Sequence, residues 1–199
     1  MKLKRITLII TLLIGLNTIA QNKFKFGAKA GFNYSGFNVN GSSSYSDGYG
    51  FHFGLIGEYK FSEKFSLQPE AIYILKKGGR GTPSDFFPIG LITSELTYID
   101  IPINGKFYFF DGFAAEFGPQ LDILINEETS VYIYNYDQSD SSINFETNGI
   151  QFSLNLGISY LITDKYLLQF RYSYGLSDVY KDFEAKNTVF AFSFGYFFL

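Results

Sequence analysis

The closing segment, Thr188-Val-Phe-Ala-Phe-Ser-Phe-Gly-Tyr-Phe-Phe-Leu199, places Phe190, Phe192, Phe194, Tyr196 and Phe198 on every second position. Ala191, Ser193, Gly195 and Phe197 lie between them. Successive side chains of a strand point to opposite faces, so this strand has one aromatic face and one mostly small face. A soluble sandwich strand does the same when it buries its rings. The choice between solvents therefore rests on the rest of the chain.

The two-faced pattern predicts seven more strands, over about residues 23–37, 50–61, 65–76, 96–109, 113–125, 149–162 and 166–177. In the fourth, Ile99, Ile101, Ile103, Phe107 and Phe109 oppose Asp100, Asn104 and Lys106. In the sixth, Phe152, Leu154, Leu156, Ile158 and Tyr160 oppose Gln151, Ser153, Asn155 and Ser159. Phe and Tyr make up 20% of the chain, yet its mean hydropathy is only +0.04. Alternation produces that combination; helical spans, which need about 20 consecutive apolar residues, do not.

Ahead of the strands, Met1-Lys-Leu-Lys-Arg5 precedes an apolar run from Ile6 to Leu16 and the small residues Thr18 and Ala20. A basic start, a short apolar core and small residues read as a secretory signal peptide over 1–20, cleaved after Ala20. One domain over 21–199 remains. Without Lys2, Lys4 and Arg5 the chain carries 13 basic residues against 19 acidic, which argues against a nucleic-acid partner. With no cysteine, disulfides, thiolate metal sites and lipid attachment at cysteine are excluded.

The connections alternate in length. Ser62-Glu63-Lys64, Phe110-Asp111-Gly112 and Thr163-Asp164-Lys165 are tight turns, whereas 38–49, 77–95, 126–148 and 178–187 are long and polar. This predicts an all-β fold: an eight-stranded antiparallel up-and-down transmembrane β-barrel with short periplasmic turns and long extracellular loops. It would sit in the outer membrane with both mature termini periplasmic. Closing the last strand on the first leaves no unpaired edge in lipid.

A soluble periplasmic ligand-carrying barrel would turn its apolar face inward instead. The polar face argues against that. Besides Lys76 at the end of the third strand, it carries Lys25, Lys29, Glu58, Lys60, Glu70, Asp100, Lys106, Glu116, Asp122 and Arg171, interspersed with glycines. An eight-stranded lumen is narrow and must be filled by side chains. Opposite charges pair there and glycines relieve crowding, whereas a face of rings is too bulky. The ten other than Lys76 are the expected lumen charge network, with a structural role. Pro69, Pro102 and Pro119 fall inside strands and each removes a ladder donor, which predicts bulges or locally broken pairing.

Several stretches resemble a known family: Phe24-Lys-Phe-Gly-Ala-Lys-Ala-Gly-Phe-Asn-Tyr-Ser35, Leu67-Gln-Pro-Glu-Ala-Ile-Tyr73, Tyr98-Ile-Asp-Ile-Pro-Ile-Asn-Gly-Lys-Phe-Tyr108, Phe117-Gly-Pro119 and Arg171-Tyr-Ser-Tyr-Gly-Leu-Ser177. They are similar to the PorT-like outer-membrane β-barrel domain of Bacteroidota, over essentially the whole mature chain except the long loops. The resemblance implies an outer-membrane barrel and explains the prolines as family features. PorT itself is linked to type IX secretion and gliding; most similar barrels have no assigned activity. Leu199 after Phe198 departs from the family's aromatic ending.

Candidate sites are few. Lys76, Lys77 and Arg80 lie in Lys76-Lys-Gly-Gly-Arg-Gly81, at the expected outer rim, where they suit lipopolysaccharide phosphates or a solvated loop. Val131-Tyr-Ile-Tyr-Asn-Tyr136 and Ile143-Asn-Phe-Glu146 read as a hairpin extending strands five and six, with Tyr132, Tyr134 and Tyr136 as an extracellular contact edge. His52 is the sole histidine, and no spacing supplies the mutual geometry of a hydrolytic triad. Asp137 and Asp140 do not fit a calcium loop. No catalytic, cofactor or metal residue is expected. The sequence reads as a non-enzymatic outer-membrane barrel, structural or adhesive, or accessory to a secretion or envelope complex. Its partners would be outer-membrane lipid, lipopolysaccharide and envelope proteins. A membrane-embedded lipid A-modifying enzyme is the alternative.

Overall fold

The computed structural model describes residues 23–39, 42–43, 46–81, 90–133, 146–181 and 184–198. Eight strands form one antiparallel sheet: β1 (Phe24–Val39), β2 (Ser46–Lys60), β3 (Phe65–Gly81), β4 (Gly90–Phe110), β5 (Phe113–Ile133), β6 (Ile150–Ile162), β7 (Tyr166–Gly175) and β8 (Ala185–Phe197). Ser42–Ser43 adds a short pairing with Asn38 and Val39. β8 then pairs with β1 from Gly27↔Phe197 to Val39↔Ala185, which closes the barrel. No helix occurs among the described residues.

Burial is inverted relative to a protein packed in water. Along β6, Gln151, Ser153, Asn155 and Ser159 are buried while Ile150, Phe152, Leu156 and Ile158 are exposed. Phe32 is 75% exposed, whereas Glu58, Gln68, Asn104 and Asp122 are 0% exposed. An apolar surface that encircles the molecule far exceeds the few hundred Å² usual for a soluble monomer. The solvent of this wall is hydrocarbon, and the inward-apolar carrier is ruled out. At the turn end, rings form a girdle, with Phe65 and Phe107 centred 5.0 Å apart and Phe107 and Phe109 4.9 Å apart.

The prolines break pairing without shifting it. Pairing lapses between Ile56↔Glu70 and Tyr59↔Leu67, between Pro69↔Ile103 and Ile72↔Asp100, and between Pro102↔Gln120 and Gly105↔Phe117. The register is the same on both sides of each lapse. Bulges or irregularities lie elsewhere, at Asp47/His52, Thr97/Tyr98 and Tyr108/Phe110.

Two expectations about the long loops need correction. Residues 77–81 and 90–95 are not loop: β3 and β4 pair as far as Gly81↔Leu91. Residues 126–133 do extend β5, but their partner is β4, from Thr97↔Asn126 to Gly90↔Ile133. β6 starts only at Ile150, and Glu146 bonds the loop after β7 instead of returning along β5. One of the glycines that suggested a flexible loop, Gly78, has a packing role. A Cβ on Gly78 would sit 2.6 Å from the Phe37 ring, so the missing side chain lets that ring lie against β3.

Gly31 has a similar part in closure. It pairs with His52 on one side and Ser193 on the other. A Cβ there would meet the Phe192 carbonyl at 2.0 Å and the His52 ring at 2.8 Å. Gly31→Val is expected to lose at least about 1–3 kcal/mol through overpacking and strand separation. The measurement is the fraction of heat-modifiable folded band after refolding into micelles, which should fall sharply against wild type.

Candidate functional site

Among the described residues the strands enclose one space, the lumen, and its contents are layered. At the turn end lies an open hollow of about 910 Å³ lined by Lys23, Lys60, Tyr108, Phe110 and Asp164, among others. Lys25 and Lys60, expected inside the lumen, sit at this mouth. Lys25 bonds Asp164 at 2.8 Å, and the Lys60 ammonium lies 5.1 Å from the Tyr108 ring centre. The hydrogen bond from Lys25 holds the Asp164 carboxyl below the usual carboxylate range. This pair helps stability above the ordinary carboxylate pKa and loses that contribution as pH falls through the depressed value.

Inward of the mouth, Lys106 stands 3.5 Å from both Glu58 and Glu116 and donates to Gln68 at 2.9 Å. Tyr108 donates its hydroxyl hydrogen to Glu58 at 2.5 Å. Next comes an arginine fork: the two terminal nitrogens of Arg171 reach Glu70 at 3.0 and 2.6 Å, and one also reaches Glu116 at 3.2 Å. Lys29 bonds the same Glu70 at 2.7 Å and donates to Gln169 at 2.6 Å. Glu58, Glu70, Glu116, Lys29, Lys106 and Arg171 thus balance in charge, all buried. Four strands are cross-linked through Arg171 and Glu70 alone.

Further toward the loop end, Lys76 lies between Asp100, at 3.0 Å, and Asp122, at 2.9 Å. Gln120 donates to both carboxylates and Ser153 to Asp122. Asp100 and Asp122 are direct cross-strand partners, so their repulsion fixes where the ammonium must go. Lys76 is therefore not the rim cation that its place in a basic run suggested. Above it, Phe37, Ile74, Leu96, Tyr98, Val179, Tyr180 and Val189 form an apolar plug. Between the arginine fork and this plug, the void lined by Lys29, His52 and Arg171 is about 30 Å³, room for about one water.

The structure also brings together a group that sequence reasoning missed. His52 Nε2 is 2.8 Å from Ser193 Oγ, and its Nδ1 is 3.5 Å from Asn33 Oδ1. The order Ser–His–Asn is that of a hydrolytic triad. It arises because His52, Gly31 and Ser193 are consecutive neighbours across three strands, a row visible only once β8 is paired with β1. His52 is 3% and Ser193 1% exposed, and the adjacent void admits no ester. The arrangement satisfies buried polar atoms.

A family model for the outer membrane protein beta-barrel domain matches residues 19–181. The chain belongs to that family. Neisserial surface protein A is similar in fold, at 18% identity and a TM-score of 0.50, covering 88% of this chain and 97% of its own. Ail of Yersinia pestis matches at 13% identity and 0.49, covering 89% and 100%; its structure is a complex with the heparin analogue sucrose octasulfate. OprG of Pseudomonas aeruginosa matches at 14% and 0.48, covering 88% and 96%. No curated protein matches.

In this outer-membrane barrel, the remaining rim residues fall as follows. Lys77 points outward and pairs with Glu95 at 2.5 Å, both side chains remaining partly exposed. Arg80 pairs by its backbone with Ile92, and Tyr132 with Leu91. Tyr134 and Tyr136 lie outside the described residues. Among the described residues, no group of acidic or histidine side chains is placed to hold a metal.

The interior and mouth ion pairs differ in weight. Arg171→Ala leaves Glu70 and Glu116 short of a buried partner, and about 3–5 kcal/mol of stability is expected to go. Lys25→Ala breaks a solvent-screened pair worth less than about 1 kcal/mol. Urea midpoints for the two variants in the same micelles check the contrast.

Proposed function

We propose that this chain is a non-enzymatic, non-conducting outer-membrane barrel that works through its surface, as a structural or adhesive element or as an accessory to an envelope or secretion complex of the PorT-like kind found in Bacteroidota. The observation that carries this reading is the filled lumen: ion pairs bridge it through its middle and an apolar plug closes its loop end. Function then falls to what stands outside the membrane. β3, β4 and β5 run on past the level where the outward face turns charged at Lys77 and Glu95. In this reading the short turns and both termini are periplasmic, residues 1–20 are the signal peptide, and the projecting wall is extracellular. Lys77, Arg80 and Tyr132 lie on that wall, which is the surface we assign to contacts with lipopolysaccharide or a protein partner.

The lipid A-modifying alternative has one observation in its favour, the Ser193–His52–Asn33 contact. Its burial opposes it, since a nucleophile needs its base and a route for substrate.

Three measurements test the proposal. Planar bilayers holding the purified barrel should show no conductance steps. A fluorophosphonate probe should leave Ser193 unlabelled, and His52→Ala should leave lipid A composition unchanged. A photo-crosslinker in place of the exposed Glu128 should trap secretion-complex or envelope subunits in intact cells. Steady conductance or Ser193 labelling would overturn the reading as a whole; the absence of any trapped protein would remove the accessory role.

A further inference from the structure

The plug at the loop end is built from two sources. Phe37, Ile74, Leu96, Tyr98 and Val189 belong to β1, β3, β4 and β8 and would line a cup without help. Val179 and Tyr180 come from the strap after β7 and fill that cup, with 0% and 5% of their surface exposed. The Tyr180 ring meets Phe37 edge-on, 5.9 Å between centroids, and its hydroxyl donates to Ser94 at 2.9 Å. Burial pushes the Tyr180 phenol up, so it stays neutral and keeps its hydrogen.

The strap's anchorage differs from that of the wall. A single isolated bridge, Thr147↔Tyr180, joins it to the segment before β6. Three backbone bonds flank the bridge: Asn148 N–H to Val179 O at 2.8 Å, Val179 N–H to Ala185 O at 2.7 Å and Lys181 N–H to Glu146 O at 2.9 Å. Asn148 Nδ2 also donates to Asp178 O at 2.9 Å, and among the described residues the strap's one ion pair, Lys181 with Glu146, is solvent-exposed. Seating the strap leaves Thr147 Oγ1 and Asp178 Oδ1 buried with no hydrogen-bond partner among the described residues. Each such atom opposes the closed position.

We propose that the loop end of the lumen is a binding cup for a small uncharged ring bearing a hydroxyl, a phenol-class molecule, and that Tyr180 is its built-in, displaceable occupant. The occupant states the specificity: a flat apolar ring against Phe37 and one hydroxyl on Ser94. A carboxylate or ammonium would leave water for apolar walls, and the cation beneath them, Lys76 at 4.4 Å from the Tyr98 ring centre, is already held by Asp100 and Asp122. The charged layer below is internally paired, so emptying the cup opens no conducting path. The inference goes beyond the surface role proposed above and stands independently of it.

The test uses the full barrel in micelles with p-cresol as probe. The chain has no cysteine, so Glu146→Cys with Lys181→Cys introduces a single disulfide across the strap and retains Tyr180. p-Cresol should saturably shift the Leu96 and Val189 amide resonances in wild type and in the reduced double variant, and not in the oxidised one. Tyr180→Ala, lacking the competitor, should bind at least about tenfold more tightly, because the competent state is no longer the minor one. If Tyr180→Ala fails to fold, Tyr180→Phe serves, since it retains the ring and loses the Ser94 bond; it too should bind more tightly than wild type. Equal binding by the oxidised and reduced forms, or binding by the Tyr180 variants alone, would overturn the proposal.

Discussion

Backbone amides within hydrocarbon have no water to bond, so a sheet can stand there only if its first and last strands find each other. Here that contact is the β1–β8 ladder, and much else depends on its register. It sets Gly31 opposite Ser193 and Lys29 opposite Gly195, brings the aromatic comb of β8 to the outside, and fixes which inward side chains meet across the lumen. A slip of β8 by one residue would turn its own rings inward and its small residues toward lipid. The glycines on β1 and β8 are thus where closure is most sensitive.

The closed sheet leaves an interior too narrow for a continuous water channel and too polar for an ordinary core. The solution is a stack of charges and amides with few atoms left over. Glu70 and Arg171 are the centre of the stack. Placing ions in such a space is unfavourable unless each finds partners, so the interior specifies one arrangement more than it adds stability. The apolar face, by contrast, imposes little geometry, because lipid conforms to whatever the rings present.

What was legible in the sequence was whatever depends on period and turn length. Eight strands, their two faces, the closure and the inward charges at Lys29, Glu70, Lys106 and Arg171 all follow from alternation. What was not legible depends on cross-strand register. Lys76 had two readings, on the polar face by parity and in a basic rim run with Lys77 and Arg80; the Asp100–Asp122 pair decides for the inside. Gly78 looked like loop, but the space it leaves is filled from β1, far away in sequence. His52 and Ser193, in β2 and β8, meet across β1, and no local pattern signals it. Prolines 69, 102 and 119 were read as interruptions, but sequence could not tell a lapse from a bulge.

The rim at the loop end is uneven. β3, β4 and β5 rise as a parapet on one side, while β6 and β7 stop short and the strap folds across the mouth between them. A barrel with a level rim looks alike from every direction in the membrane plane. This one has a front and a back. Rotation about the membrane normal therefore decides which neighbours its tall side can reach, and crowding or lateral packing that restrains rotation would govern its contacts as much as affinity does.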